Sequence, residues 1–281
     1  MPELPEIETL RRDLSDLLLA RTIKSVTVRH QRSVRAHAFS DEFSEPLAGC
    51  VVYEVFRKGK FLSIAVGHGA SPDLALVAHM GMSGQIRSFS MYDSLPKHAH
   101  IWFELSGDSL MVFVDPRTFG QMYLDELGSS GMAASLGRLG VDPLNEPGLV
   151  RQAVKRFSSS SVGIKWLLLD QTIVCGIGNM YADEILFHAG IRFDRPGSSL
   201  SESELDVLSK TIPAVLSEAV ALRGSSLKDL QYRDVHGAIG GYQKMHLAYG
   251  REGRDCLRCG QKIERVFAKG RSSYLCRSCQ R

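Results

Sequence analysis

The first residues of the chain carry apolar side chains with a helical period. Positions three, four or seven residues apart lie on one face of an α-helix. Apolar residues occupy such positions at Ile7, Leu10, Leu14, Leu17 and Leu18. Pro5 suits the first turn of a helix. The pattern predicts an N-terminal helix over residues 5–19.

From Thr22 to Leu124 the period shortens to that of β-strands. Short stretches rich in β-branched and aromatic residues alternate with Gly, Pro, Asp and Ser, which is typical of an antiparallel sandwich or barrel. The predicted strands cover residues 23–28, 51–56, 61–66, 74–79, 100–105, 110–114 and 119–124.

The strand pattern ends at a Gly/Ser-rich stretch over residues 128–140. Helical patterns follow at 149–157, 165–171, 180–188 and 201–223, the last with Ser199 or Ser201 as candidate N-cap. We predict an α+β chain of several domains. Its parts are an N-terminal β-domain at 1–127, a linker at 128–140, a helical domain at 141–250 and a cysteine module at 251–281.

Composition excludes several classes of protein. Of 281 residues, 44% are hydrophobic and 23% charged, which is close to the average of folded globular chains and excludes a disordered tail. The apolar runs at 74–77 and 166–169 are far shorter than a membrane span, and the N-terminus does not have the pattern of a secretion signal. We therefore expect no membrane partner and a cytoplasmic location.

Positive charge is concentrated at the C-terminus. Residues 251–281 hold nine Lys and Arg against three Asp and Glu, a balance of +6, and the first 250 residues balance to −3. A basic module on a mildly acidic body suits a protein that binds a polyanion, although a solvated basic face is an equally good interpretation of the charge alone.

Four cysteines have the spacing of a metal site. Cys256 and Cys259 form one Cys-x-x-Cys pair, and Cys276 and Cys279 form a second after sixteen residues. Two such pairs complete a tetrahedral zinc site without an open position for water, so the zinc would be structural. Two disulfides are the alternative, which a reducing compartment disfavours. We expect one structural Zn²⁺ and no organic cofactor.

The N-terminus contains a potential nucleophile. If Met1 is removed, Pro2 offers a free secondary amine, whose pKa the adjoining helix dipole would lower. Such an amine can attack a sugar C1′ to form an iminium, and Glu3 and Glu6 could move protons and orient a substrate. The alternative is that Glu and Pro simply favour the first turn of a helix.

Six segments of the sequence form a distinctive set. They are residues 1–6 (MPELPE), 58–62 (KGKFL), 79–84 (HMGMSG), 115–120 (DPRTFG), 176–182 (GIGNMYA) and the four-cysteine finger. Together they resemble the formamidopyrimidine/endonuclease VIII family of DNA glycosylases, and within it the bacterial formamidopyrimidine-DNA glycosylase branch. Leu4, where the endonuclease VIII branch usually has Gly, indicates this branch, which acts on oxidised purines.

The resemblance implies a fold and an activity. The fold is an N-terminal antiparallel β-sandwich with an N-terminal helix, then a helix-two-turn-helix domain that includes a loop closing over the lesion, then a zinc-finger hairpin. The activity is that of a base-excision repair enzyme, both hydrolase and lyase. It removes 8-oxoguanine and formamidopyrimidines from damaged double-stranded DNA through a Schiff base, and cuts the strand by β- and δ-elimination. We expect a bacterial monomer associated with the nucleoid.

The same resemblance assigns roles to residues. Pro2 is the nucleophile, Glu3 the acid/base, Lys60 the proton donor for β-elimination, with Lys58 as its rival, and Arg271 the phosphate ligand that assists δ-elimination. Met82, Arg117 and Phe119 match a wedge that fills the space of the everted base. Further expected substrate or DNA contacts are Glu6, His79, His98, Lys165, Asn179 and Tyr249.

Departures from the family pattern keep alternatives open. The serine run at 158–161 replaces basic residues, and the loop at 237–242 lacks the usual Pro-Gly, which leaves the lesion preference undecided. Ser273 and Leu275 replace commoner Thr and Tyr in the finger. The alternatives are an endonuclease VIII-like enzyme for oxidised pyrimidines, a non-catalytic zinc-finger protein that binds nucleic acid, and an RNA-metabolism enzyme with a ribbon-type zinc site.

Overall fold

The computed structural model describes residues 2–227 and 232–281, so Met1, on whose removal the predicted chemistry depends, lies outside the described residues. The chain divides into two compact units. Unit 1 comprises Met1–Arg138 and Arg223–Gly240, and unit 2 comprises Leu139–Leu222 and Gly241–Arg281. Residues 223–240, which we predicted in the helical domain, thus belong with unit 1. The linker at 128–140 and a separate finger from 251 stay predictions.

Unit 1 contains two four-stranded antiparallel sheets. One has the strand order β1-β6-β7-β5 and the other β2-β3-β4-β8. Side chains of both sheets, such as Ile64 and Phe103, share one buried core, which confirms the predicted sandwich. The strands are β1 Ile23–Val28, β2 Val51–Lys58, β3 Phe61–Gly67, β4 Leu74–His79, β5 Gln85–Ser90, β6 Ala99–Leu105, β7 Ser109–Val114 and β8 Gln121–Asp125.

Two strands differ from the prediction. Strand β5 was missed because Ile86 is its one fully buried residue and the rest of its sequence is mostly polar. It is held by pairing with β7 along its whole length. Strand β8 begins at Gln121 and not at Phe119, and this shift leaves Phe119 in a loop.

The N-terminal helix α1, Leu4–Leu18, confirms the predicted amphipathic pattern. Its apolar face, with Ile7 and Leu10, packs into the sandwich core. Its polar side is also tied down, because Glu8 Oε2 lies 3.0 Å from Nε of the buried Arg57 in β2. Burial opposes ionisation of Glu8, but the hydrogen bonds and charges of Arg11 and Arg57 lower its pKa to about 2. A short helix α2 covers Asp41–Ser44.

The returning segment of unit 1, residues 223–240, is anchored by charge and by apolar packing at its described residues, 223–227 and 232–240. Arg223 Nη2 lies 2.6 Å from both Asp13 Oδ2 in α1 and Asp234 Oδ2. Tyr232 and Val235 enter the sandwich core. These contacts join residues far apart in sequence, which is why a local pattern placed the segment in the helical domain at 141–250 instead.

Unit 2 is mostly helical, as predicted. Ser201 caps α6, and its Oγ accepts a hydrogen bond from Glu204 N–H at 3.2 Å. Within the described residues no helix is long and apolar enough to cross a membrane. The helices are α3 Val150–Lys155, α4 Ile164–Leu168, α5 Asn179–Ala189 and α6 Glu202–Ala221. A hairpin of β9 Glu264–Ala268 and β10 Arg271–Leu275 completes the unit.

Candidate active site

The N-terminus is buried at the beginning of α1. Pro2 is buried, and Glu3, the N-cap residue of the helix, is 3% exposed. Glu6 Oε2 accepts a hydrogen bond from Glu3 N–H at 2.8 Å, and Glu6 Oε1 accepts one from Ser225 N–H at 2.7 Å. Glu6 therefore fixes the residue beside Pro2 and also the returning segment of unit 1. Its predicted contact with substrate stays a prediction.

Lys60 and His79 lie near each other at one end of the second sheet. Lys60 is the second residue of the two-residue turn between β2 and β3. The next residue, Phe61, pairs with His79, and the two rings lie 4.6 Å apart with a tilt of 36° between their planes. Burial and the charges of Lys60 and Arg35 lower the pKa of His79 to about 4. Because Nδ1 accepts a hydrogen bond from Gly81 N–H at 3.2 Å, the neutral ring carries its proton on Nε2, where it can donate.

Met82, Arg117 and Phe119, the wedge residues, lie exposed on two adjoining loops of unit 1. Met82 is 40% exposed and Phe119 45% exposed, and the Arg117 guanidinium carbon lies 5.2 Å from the centre of the Phe119 ring. The loops are joined because Ser83 Oγ accepts a hydrogen bond from Arg117 N–H at 3.2 Å. The structure thus brings these three predicted residues together.

His98 lies at the base of the same region. It is half-buried and directly precedes β6, and its carbonyl accepts a hydrogen bond from Asp115 N–H at 3.0 Å. The loop that carries Arg117 begins at this aspartate. The predicted DNA contact of His98 stays a prediction.

In unit 2, Lys165 occupies a buried position, and its predicted contact with DNA stays a prediction. The side chain is 1% exposed. Its ammonium donates to Asp183 Oδ1 at 2.7 Å, Ser272 O at 2.8 Å and Ser273 Oγ at 3.0 Å. Three donor hydrogens meet three acceptors inside the protein. Lys165 therefore joins helices α4 and α5 to strand β10, a role that a basic residue in a sequence pattern does not reveal.

Arg271 lies beside the tip of the finger hairpin. The turn residues Lys269 and Gly270 have φ values of 47° and 75°, the positive pair that a type I′ turn requires. Arg271 follows as the exposed first residue of β10. The Lys269 ammonium lies 4.8 Å from the centre of the Trp166 ring, a cation–π contact that braces the tip against α4.

Asn179 contacts the same hairpin from the beginning of α5. Its Nδ2 donates to Ser272 O at 3.1 Å, next to Arg271. Within the described part of the chain, Asn179 Oδ1 is buried without a hydrogen-bond partner. The structure thus brings Asn179 and Arg271 to one place, and the contact of either residue with DNA stays a prediction.

Tyr249 lies half-buried with its ring packed edge-on against Tyr274 of β10 at 5.1 Å. Its backbone N–H donates to Glu184 Oε1 at 2.7 Å, and the same carboxylate accepts from Leu247 and Ala248 N–H. A buried acid in α5 therefore shapes the loop that presents Tyr249.

The four cysteine sulfurs converge. All four Sγ atoms lie within 4.8 Å of one another, with 3.8 Å between Cys256 and Cys279 and 3.4 Å between Cys259 and Cys276. A disulfide needs about 2.0 Å, whereas a tetrahedron with Zn–S bonds of about 2.3 Å separates sulfurs by about 3.8 Å. The cluster fits a tetrahedral metal ion and not two disulfides. Cys50 and Cys175 are buried elsewhere.

Three buried acids with positioning contacts were missed in the sequence. Asp115, Asp183 and Glu184 are each at most 1% exposed, and each accepts hydrogen bonds from backbone N–H groups. The sequence contained one signal for them, an acidic residue inside or directly after an apolar run. Such an acid is expected to be buried, and a buried acid needs hydrogen-bond partners. Asp115 follows the apolar strand β7, and the other two interrupt the apolar sequence of α5.

Family models match most of the chain. The formamidopyrimidine-DNA glycosylase N-terminal domain matches residues 1–122, and the formamidopyrimidine-DNA glycosylase H2TH domain matches residues 139–231. The formamidopyrimidine-DNA glycosylase of Shouchella clausii is 37% identical over 280 residues, which cover 100% of this chain and 99% of the relative.

Solved structures agree with these matches. The crystal structure of the MutM (Fpg) protein from Thermus thermophilus has a TM-score of 0.86 and 39% identity, covering 99% of this chain and 98% of that one. The complex of Lactococcus lactis Fpg with DNA that contains an abasic site has a TM-score of 0.87 and 30% identity, covering 99% of both chains. The resemblance inferred from the sequence motifs is thereby confirmed. This chain belongs to the formamidopyrimidine-DNA glycosylase family.

Proposed function

We propose that this chain is a bifunctional DNA glycosylase and AP lyase of base-excision repair. Its substrates are oxidised purines, 8-oxoguanine and formamidopyrimidines, in damaged double-stranded DNA. The observation that carries the proposal is the N-terminus, where Pro2 lies buried at the beginning of a helix with Glu3 and Glu6 fixed beside it. Relatives named for this activity share the whole length of the chain.

The chemistry begins at the Pro2 nitrogen, once Met1 is removed. The amine attacks C1′ of the damaged nucleotide, the bond from C1′ to the base breaks, and the base leaves with a proton. Glu3 assists by giving a proton to the sugar ring oxygen as the ring opens, which leaves an iminium between Pro2 and C1′.

The iminium then serves as an electron sink for strand cleavage. Loss of a C2′ proton expels the 3′ phosphate, a second elimination expels the 5′ phosphate, and water releases the sugar fragment from Pro2. Lys60 supplies a proton in the first elimination, with Lys58, the last residue of β2, as the alternative. Arg271 holds the phosphate that leaves in the second.

Binding and base eversion use the exposed residues of the two units. The wedge residues enter the duplex, Met82 and Phe119 replace the lost stacking, and Arg117 faces the base opposite the lesion. His79, which is neutral, donates from Nε2 to a backbone phosphate, and His98, Asn179 and Tyr249 approach the backbone as well. The proposed protein acts as a monomer in the bacterial cytoplasm, at the nucleoid.

Zinc is the metal we assign to Cys256, Cys259, Cys276 and Cys279. When bound, it supplies structural cross-linking, because four thiolates leave no ligand position for an activated water. A side chain of the finger adds further hydrogen bonds. Gln280 Oε1 accepts one from Cys276 N–H at 2.9 Å, and Gln280 Nε2 donates one to Ile191 O at 2.9 Å. The finger is thereby attached to the end of α5.

The test is incubation of the full-length protein with duplexes that carry one lesion each, followed by a denaturing gel. We expect excision and β,δ-cleavage at 8-oxoguanine and formamidopyrimidine, and cleavage at a preformed abasic site. Activity on oxidised pyrimidines alone would reject the substrate class and keep the family. Binding to DNA with no processing of any lesion would favour the non-catalytic alternative.

Borohydride trapping tests the nucleophile separately. The protein should form a covalent adduct with lesion DNA, Pro2→Gly should weaken it, and Glu3→Gln should chiefly stop base excision. Intact mass spectrometry shows whether Met1 has been removed. Undiminished trapping after acetylation of the N-terminus would show that a lysine, Lys60 first, is the nucleophile.

A further inference from the structure

Asp115 occupies the junction of the two loops that carry the wedge residues. It directly follows β7 and is 0% exposed. Its Oδ1 accepts hydrogen bonds from Ser83 Oγ and from Arg117 N–H, the latter at 3.3 Å, and its Oδ2 accepts from Gly120 N–H at 2.7 Å. One buried carboxylate is thus bonded to both loops and to both sides of Phe119.

Backbone geometry around this carboxylate allows little adjustment. Gly81 has a φ of +58°, and a Cβ there would lie 2.5 Å from Phe119 C and Gly120 N, so the two loops are in direct backbone contact. Thr118 has a φ of 57°, which is unfavourable for a β-branched residue, and its N–H donates to Asp115 O at 3.2 Å. Such a conformation persists because the surrounding bonds determine it.

The outer side of the loop is held as well. Arg35 Nη1 donates to Gly120 O at 2.9 Å, and Nη2 donates to Phe119 O at 3.2 Å. The backbone of the loop around Phe119 is therefore hydrogen-bonded to both Asp115 and Arg35. The side chains of Met82 and Phe119 nevertheless remain 40% and 45% exposed. This is a fixed frame with exposed apolar ends.

We propose that Asp115, with Ser83, is a positioning residue for base eversion: it holds the wedge residues in the arrangement that enters the duplex, without touching DNA. The inference rests on the proposed function and adds a residue to it. A frame ordered before binding saves the entropy cost of ordering the loops during insertion. Because the carboxylate is fully buried, its charge is also kept away from the phosphates.

Asp115→Asn is the direct test, since it preserves volume while it removes the charge and replaces one acceptor oxygen by a donor NH₂ group. Three groups donate hydrogen bonds to the carboxylate, and two of them, the Arg117 and Gly120 N–H groups, cannot accept one. The NH₂ group of an asparagine would therefore face at least one of these two donors, unless it turned to the Ser83 hydroxyl alone. We expect single-turnover excision of 8-oxoguanine from duplex DNA to fall about tenfold or more, or about 1.4 kcal/mol of barrier. The matched control is Asp108→Asn in the β6–β7 turn, exposed and with a φ of 53°, a conformation Asn adopts readily. It should excise at the wild-type rate.

A substrate without a duplex separates positioning from damage to the chemistry or the fold. On a single-stranded oligonucleotide with a preformed abasic site there is no base to evert and no stack to fill. Asp115→Asn should therefore keep lyase activity and borohydride trapping within about twofold of wild type on this substrate. Equal slowing on both substrates would overturn the positioning role.

A double-mutant cycle gives the second readout. If Asp115 acts through the wedge, its substitution should add almost nothing in a Met82→Ala/Phe119→Ala background, where the wedge is already absent. An additive loss would overturn the inference. Should Asp115→Asn melt at a much lower temperature, Ser83→Ala, which removes one hydroxyl, must show the same split between substrates at smaller size. Wild-type protein inactive on every lesion and abasic substrate would instead overturn the proposed function, and with it this inference.

Discussion

Replacing Lys165 by Met is the sharpest test of whether this residue is structural, as its burial indicates, or a DNA contact. The substitution removes an ammonium that is 1% exposed and leaves the Asp183 carboxylate, also 1% exposed, without its ionic partner. Breaking a buried pair from one side costs about 3–5 kcal/mol, because an uncompensated charge remains. We expect the stability of unit 2 to fall by that amount.

The size of the loss should depend on Asp183. In Lys165→Met/Asp183→Asn neither residue of the pair is charged, so the loss should be smaller by about 1–3 kcal/mol, the difference between leaving a buried charge unpaired and leaving a buried polar group unpaired. Burial raises the pKa of Asp183 to about 7 even beside Lys165. Without the lysine it rises further. From pH 4 to about 7 the folded state binds more protons than the unfolded state in wild type and variant alike, so the deficit of Lys165→Met relative to wild type should stay constant below pH 7 and grow above it.

The assay is urea unfolding followed by tryptophan fluorescence. The chain has two tryptophans, Trp102 and Trp166, so a Trp102→Phe background leaves the reporter adjacent to Lys165. DNA affinity at low urea is measured at several salt concentrations on the same samples. Two results together would refute the structural role. They are a stability loss below about 1 kcal/mol and a plot of log K against log salt concentration whose slope is shallower by about 0.9. They would instead indicate that Lys165 contacts a phosphate.

Three further predictions concern binding, metal and pH. Arg271→Ala should lower affinity for all lesions and reduce the salt slope by about 0.9, whereas His79→Ala should lower affinity with an unchanged slope because its donor is neutral, as measured by fluorescence anisotropy. Chelation of the metal, or Cys256→Ser, should abolish DNA binding and leave the folding of the β-sandwich unchanged by circular dichroism, and a metal-free preparation that cleaves at the normal rate would contradict this. Burial is the main cause that lowers the pKa of His79 and His246 to about 4, below the unfolded value of 6.5. The free energy of unfolding should therefore fall as the pH drops from 6.5 to 4, by up to about 3 kcal/mol for each histidine. In urea titrations at several pH values, His246→Gln should make this dependence on pH less steep.

Features with a local cause were predictable from the sequence. The apolar period of α1, the alternation of seven strands, the Ser201 cap and the two Cys-x-x-Cys pairs all depend on residues close together in the chain. The wedge residues were selected through motifs of a known family and not through periodicity, which had wrongly placed Phe119 in a strand.

Features that depend on residues far apart in the chain could not be predicted from the sequence. Strand β5 exists because β7 pairs with it, although its own sequence is polar. The return of residues 223–240 to unit 1 depends on Glu6 and Asp13, more than 200 positions earlier. Lys165 is indistinguishable in sequence from a surface lysine, and its burial follows from Asp183 and the carbonyl of Ser272, which only the folded chain brings together.

The buried acids explain how a surface suited to DNA can be well ordered without repelling it. Glu6, Asp115, Asp183 and Glu184 are all at most 1% exposed, and each accepts backbone N–H groups from a segment that bears an exposed or predicted functional residue. Hydrogen bonds to a charged acceptor contribute about 1.5–3 kcal/mol, more than neutral ones, so few groups are needed to hold a loop. The same carboxylates on the surface would repel phosphates. Because these carboxylates are buried, they order the loops without facing the phosphates. The exposed side chains of the same segments, such as Arg117 and Arg271, are basic.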